Sequence, residues 1–210
     1  MKLRLALSAL MALALGSALL LYRLHQARAE QPLPELSEIP DFSLVDQRGN
    51  TLHGHDLRGS VWVADFIFTG CQAACPMLTS RMRALQERLA RADQAEGRRL
   101  PVRLVSFSVD PEVDTPERLA AYASKWKADE QRWTFVTGPL DEMNRAVVKG
   151  MKIPFEKGGA DLSAFDVMHG EHLVLVDANG KIRGYFEADP AGLDKVERAI
   201  RTLVAQGAAR

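Results

Sequence analysis

Residues 61–68, Val-Trp-Val-Ala-Asp-Phe-Ile-Phe, form an apolar run of strand length that passes through Thr69 and Gly70 into Cys71, Cys75 and Pro76. A long amphipathic stretch starts at Pro76. A short apolar run bounded by turn residues reads as a buried strand, and a 3.6-residue apolar period reads as a helix. The junction is therefore strand, short loop, helix start, and it carries both cysteines of the 210-residue chain. Proline has no N–H to lose at the first helical position, which places Pro76 there and Cys75 at the N-cap. A thiol in that place feels the positive end of the helix, which favours thiolate over thiol. Thiolate is the form that attacks disulfides and binds soft metals. The pair is a disulfide, a redox couple or a metal clamp.

The rest of the chain supplies a sheet around this junction. Phe42 and Leu44 alternate with polar residues and Gly49-Asn50 marks a turn, so residues 41–52 are expected to form a β-hairpin. A helix follows over about 76–95, with Met77, Met82, Leu85 and Leu89 on its apolar side. Residues 102–109 form a second strand. Asp114 or Thr115 then caps a helix with Pro116 in its first turn, running to about Trp126. A short strand at 133–136, a short helix at 140–148 and an irregular insertion over 149–168 come next. Residues 173–176 and 182–186 flank the turn Asp177-Ala-Asn-Gly180 as a closing hairpin, and a helix over about 191–206 ends the fold. The order implies an α/β fold, a mixed sheet with helices on both faces. A strand–Cys–helix unit near the start and an antiparallel hairpin at the end are the thioredoxin-like arrangement.

Charge separates the N-terminus from the body. Residues 1–29 hold Lys2, Arg4, Arg23 and Arg28 and no acid, leaving 23 basic against 27 acidic residues in 30–210. A mildly acidic body has no nucleic-acid footprint, so nucleic acid is set aside as a partner. Residues 5–22 are 18 consecutive positions without a charge, enough to span a bilayer as a helix. An uncleaved transmembrane anchor is the first reading; a signal segment cut near Ala27-Arg28-Ala29 is the second. Either places the body outside the cytoplasm. The expected organisation is an anchor or signal segment at 1–29, a proline-rich linker at 30–40 and a thioredoxin-like domain at 41–206.

In an oxidising compartment two cysteines are often a structural bridge. A four-residue spacing closes too small a loop to constrain the unfolded chain much, so that reading is weak. The Gln72-Ala73-Ala74 spacer is also wider than the two residues of ordinary dithiol oxidoreductases, and can open around an ion. Two thiolates hold Cu(I) linearly, and a third ligand is needed for stable trigonal binding or for Cu(II). Of the five histidines, His25 flanks the apolar run, and His53 and His55 sit in a loop after the first hairpin. His169 and His172 lie just before the strand of the last hairpin, on a loop that faces the cysteines in a thioredoxin-like fold. The residues alone do not choose between these two.

Taken together, Phe66-Ile-Phe-Thr-Gly-Cys71, Cys75-Pro-Met-Leu-Thr79 with Met82, Ser106-Phe-Ser-Val-Asp-Pro-Glu112 with Asp114-Thr-Pro116, and Met168-His169 ahead of the Asp177–Gly180 turn resemble the SCO/SenC family of thioredoxin-fold copper-binding proteins. The resemblance covers about residues 38–205. In that family the histidine ligand stands eleven residues before the turn glycine, which selects His169 over His172. The resemblance implies copper held by Cys71, Cys75 and His169 in a metallochaperone tethered to the cell inner membrane, with its domain on the periplasmic side. It implies assistance to copper insertion into cytochrome c oxidase, with the copper-bearing subunit or a similar copper client and a thiol–disulfide reductant as partners. The alternative is an extracytoplasmic thiol–disulfide oxidoreductase with Cys71 and Cys75 as its redox-active pair. A peroxidase of the peroxiredoxin type, with Arg81 beside the cysteine, ranks below both. The chain departs from the family pattern at Gln72-Ala73-Ala74, where an aspartate is common between the cysteines, and at Met168, where an aspartate is common before the histidine. Asp110 resembles a family position associated with tuning the site, and reads equally well as a turn residue on the approach to the next helix.

Overall fold

Strand β3 (Val61–Ile67) is buried at every position. It pairs in parallel with β4 (Val102–Ser108) over its whole length, from Val61 opposite Val102 to Ile67 opposite Ser108. Branched and aromatic residues dominate both strands, as a sheet covered on two faces requires. Beyond β4 lies the parallel strand β5 (Trp133–Thr137). On its other side β3 runs antiparallel to β6 (His172–Val176), which returns as β7 (Ile182–Glu187). The hairpin of β1 (Ser43–Asp46) and β2 (Thr51–His53) adds to the free edge of β5. The seven strands among the described residues run β2-β1-β5-β4-β3-β6-β7. The computed structural model describes residues 16–17, 33–71, 74–153 and 172–208.

The parallel pairs are joined by helices α1 (Ala74–Glu96) and α2 (Pro116–Lys125), as parallel strands need long crossovers. Period-2 alternation along β3 splits its side chains between two cores. Trp62, Ala64 and Phe66 join a cluster with Phe42, Leu44, Phe107 and Val136, capped by Met143, Ala146 and Val147. Those last three come from α3 (Leu140–Met143) and the π-helical turns Asn144–Gly150 that continue it. The opposite face of the sheet packs on α1, α2 and the C-terminal helix α4 (Pro190–Ala208). Tyr122 of α2 stands edge-on to Phe135 there, with ring centroids 6.0 Å apart. The expected mixed sheet with helices on both faces, and the hairpin that extends it, are present.

Both hairpins turn on the same device. The Asp46 carboxylate accepts from the backbone N–H of Arg48 and Asn50, and the Asp177 carboxylate from those of Asn179 and Lys181. Gly49 and Gly180 take the left-handed conformation, with φ of 79° and 82°, that the turns demand.

Two expectations need correction, and one choice left open by the sequence is decided. Helix α1 begins at Ala74, so Cys75 lies inside its first turn and Pro76 is its third residue. The first four N–H groups of a helix have no partner in it, so proline is as well tolerated there as at the first position. Met77 does not face the core: it is 43% exposed, and Leu78 is the buried residue. The sheet meets the stripe led by Leu78, Met82, Leu85 and Leu89. The cap of α2 is Thr115, whose hydroxyl accepts from Arg118 N–H, and not Asp114, which is used elsewhere. The expected insertion at 149–168 falls mostly outside the described residues, as does the apolar run 5–22 except for a helical turn at 16–17. Among the described residues no helix is long and apolar enough to cross a membrane. The chain divides into two compact units, Met1–Leu33 and Pro34–Arg210.

Inside the helix-covered face sits a carboxyl group. Asp65, fully buried in β3, accepts from the Ser106 hydroxyl at 2.5 Å, and Ser106 accepts from the Trp133 indole N–H at 2.8 Å. Among the described residues its second oxygen, Oδ2, has no hydrogen-bond partner. Burial pushes this carboxyl up to about 7, against the pull of Ser106. The folded protein therefore keeps a proton that an unfolded aspartate sheds near 3.8. Between about pH 4 and pH 7 the unfolded chain binds fewer protons, so this group's contribution to stability falls as pH rises through that window and is flat above it. Asp65→Asn, which stays neutral, is expected to match the parent near pH 4 and to exceed it by roughly 4 kcal/mol at pH 8. Urea unfolding of both proteins at the two pH values measures the difference, and a constant difference across them would contradict the assignment.

Candidate metal centre

The chain leaves β3 in a tight turn. Cys71 N–H donates to the Phe68 carbonyl at 3.2 Å, closing a four-residue β-turn with Thr69 and Gly70 at its centre. Cys71 Sγ then accepts from Cys75 N–H at 3.4 Å, the place where a capping side-chain oxygen usually sits. The helix start thus brings the two cysteines together with a sulfur as its cap. Both are free thiols.

They differ in environment. Cys71 is half-buried on the turn, whereas Cys75 is 4% exposed inside α1. Burial pushes the Cys75 thiol up, and the neighbouring Cys71 and the Asp65 carboxylate push in the same direction. The expectation that the helix end favours thiolate does not hold for Cys75, because desolvation outweighs the helix dipole there. Cys75 therefore rests as a thiol at neutral pH.

Two polar contacts hold the pair that the sequence reading did not assign. The Thr79 hydroxyl donates to the Cys75 carbonyl at 2.8 Å and lies 2.8 Å from the Tyr122 hydroxyl, which donates to it in turn. Burial pushes Tyr122 up to about 12, so it remains a donor. On the other side, buried Asp114 accepts from Thr69 N–H at 3.1 and 3.2 Å and from the Thr69 hydroxyl at 2.5 Å. It also accepts from the Ser108 hydroxyl at 2.6 Å. The sequence marks Asp114 only as part of Asp114-Thr-Pro116, a motif of the family resemblance that suits a helix cap equally well. Asp110 donates its backbone N–H to Ser108 Oγ and accepts at its carbonyl from the N–H of Asp114, in the same loop.

Among the histidines, His169 lies outside the described residues, with Met168 and the spacer residues Gln72 and Ala73. His172 opens β6 opposite Glu187, with Nε2 3.0 Å from that carboxylate. His53 and His55 stack with ring centroids 5.0 Å apart, and His55 Nδ1 lies 3.0 Å from Asp41 Oδ2. Among the described residues no three of His, Cys, Asp or Glu gather as a metal-binding group. The donor chemistry present is two soft sulfurs on adjoining backbone, suited to a soft, low-coordinate ion or to a disulfide.

The sequence pattern described as SCO1/SenC matches residues 30–205. The chain belongs to the SCO1/SenC family. Over 147 residues it is 36% identical to the SCO1 protein homolog of Bacillus subtilis (strain 168), covering 69% of this chain and 71% of that protein. BsSco, a member of the Sco family of cytochrome c oxidase assembly proteins in which a disulfide switch was identified, superposes with a TM-score of 0.69. It is 30% identical, and the match covers 83% of this chain and 98% of BsSco. ScoI of Bradyrhizobium japonicum, solved with copper bound, shares the fold at a TM-score of 0.59 and 20% identity, over 77% of this chain and 99% of that one. The thioredoxin-like architecture of this SCO1/SenC chain is thereby shown.

The unequal burial of the two thiols has a direct readout. Iodoacetamide applied to the reduced, metal-free protein is expected to modify Cys71 well before Cys75, with Cys75 reacting promptly only in denaturant. Peptide mass spectrometry over a time course resolves the two, and equal rates in the folded protein would contradict the burial of Cys75.

Proposed function

We propose that this protein is a copper carrier that takes its cargo on Cys71 and Cys75 and assists copper insertion into cytochrome c oxidase. The observation that carries the reading is the sulfur-capped helix start, which presents two thiols side by side at the end of a rigid, fully buried strand. Membership of a family whose relatives include copper-bound and oxidase-assembly proteins supports it. His169 is the third ligand on this reading, supplied by the segment ahead of β6. Two thiolates favour Cu(I), and an added imidazole makes Cu(II) tolerable. Cys71, on the exposed side of the turn, is the sulfur from which ligand exchange with the copper-bearing subunit begins. Residues 1–29 anchor the protein in the inner membrane through 5–22, and the domain works on the periplasmic side; the expected linker at 30–40 is shorter than the sequence suggests, because Leu36 and Ile39 hydrogen-bond to the last hairpin and Ile39 is buried in the core.

A second reading rests on the asymmetry of the same pair. A half-exposed Cys71 backed by a buried Cys75 is the arrangement of an attacking and a resolving thiol. A disulfide switch in BsSco supports a redox role. On this reading Cys71 attacks a disulfide of a copper-site client, Cys75 displaces the client thiol, and an external thiol–disulfide reductant restores the pair.

Copper binding to residues 30–210 separates the readings. The parent is expected to retain about one copper per chain after desalting, Cys71→Ser and Cys75→Ser none, and His169→Ala less, with faster loss to a chelator. Full retention by His169→Ala would sink the three-ligand carrier. Rapid reduction of a client disulfide by the metal-free protein, indifferent to His169, would favour the oxidoreductase.

A further inference from the structure

The β-turn that presents Cys71 is gripped from outside by a single buried carboxylate. Asp114 has no exposed surface, and three of its four contacts go to Thr69, the turn residue two before Cys71. The fourth goes to Ser108, which ends β4 in register with Ile67 at the end of β3. An ionised carboxylate is costly to bury and is kept in such a place only when donors satisfy it. Charge-assisted hydrogen bonds of this kind are shorter and roughly twice as strong as neutral ones. A helix cap was available to Asp114 and was left to Thr115. Its carboxylate instead ties the cysteine turn to the loop that leads into α2, while α2 reaches the second cysteine through Tyr122 and Thr79.

We propose that Asp114 is a positioning residue for the cysteine pair: by holding Thr69 it fixes where Cys71 Sγ stands relative to Cys75, and so sets how readily the two sulfurs share a copper ion or close a disulfide. The copper half of this statement rests on the carrier reading above; the disulfide half does not. Thr69 has both its N–H and its hydroxyl committed to Asp114, so the turn has little freedom about its first bond. Ser108 donates a hydroxyl to the same carboxylate but belongs to β4, which the sheet holds independently. Removal of either hydroxyl costs one hydrogen bond to Asp114, yet only one of them releases the cysteine turn.

The test uses the full-length protein in detergent with three variants: Thr69→Val, which removes the turn hydroxyl; Thr69→Ser, which restores it; and Ser108→Ala, the control. One measurement titrates Cu(I) alone against a chromophoric chelator. The other equilibrates the metal-free protein with glutathione, in which two protein thiols and one glutathione disulfide exchange for the Cys71–Cys75 disulfide and two glutathione thiols. Thr69→Val is expected to shift both equilibria by about tenfold, the scale of one hydrogen bond to a charged group. Thr69→Ser is expected to return both to within about twofold of the parent, and Ser108→Ala to stay within about twofold while losing comparable thermal stability. Equal shifts in Thr69→Val and Ser108→Ala, or none in Thr69→Val, would overturn the proposal. A parent that binds no Cu(I) would refute the carrier reading, while the glutathione equilibrium would still decide the role of Asp114.

Discussion

Seven consecutive register pairs between β3 and β4 hold the centre of this protein. Because both strands are buried on both faces, their ends are placed by the sheet and not by the loops that follow them. Ile67 and Ser108 finish side by side, so the cysteine turn after β3 and the Asp110–Asp114 loop after β4 emerge next to one another. The grip on the cysteine turn follows from this shared end. Asp114 reaches Thr69 because the loops start together, and α1 starts where its first N–H groups meet a sulfur.

The same burial gives the two cysteines different chemistry. A helix N-terminus lowers the energy of a thiolate by a modest amount, whereas removal from water raises it by more. Cys71, on the turn, keeps contact with solvent; Cys75, one turn further and under the sheet-facing side of α1, does not. A single four-residue spacing therefore holds an accessible sulfur and a protected one. That asymmetry suits both handing over an ion and resolving a mixed disulfide, and is why the carrier and oxidoreductase readings share one geometry.

Much of the architecture was legible from local pattern. Both hairpins, the three parallel strands and the helices of the second half are marked by alternation, short apolar runs, proline and turn glycines, each of which acts over a few residues. The errors were of a different kind. The start of α1 and the choice of Leu78 over Met77 depend on which stripe of the helix meets the sheet, which a helical period alone leaves open by one residue. The choice between Thr115 and Asp114 as the cap of α2 is open in the sequence because caps are read from the next few residues; the partner that occupies Asp114, Thr69, lies 45 positions away. The polar partner of Asp65, Ser106, is 41 positions away and no short pattern connects them.

Sequence alone determined the pairing of two soft donors at a strand–helix junction, the fold class and the family, because those depend on residue types at short spacings. It also singled out His169, through a count from Gly180 in the family's pattern. Tertiary structure alone decided which cysteine is shielded from water, that Thr69 is held by a buried carboxylate, and that Asp65 is enclosed beside Ser106. Burial and long-range hydrogen bonding are properties of what the sheet brings together, and no window along the chain contains them.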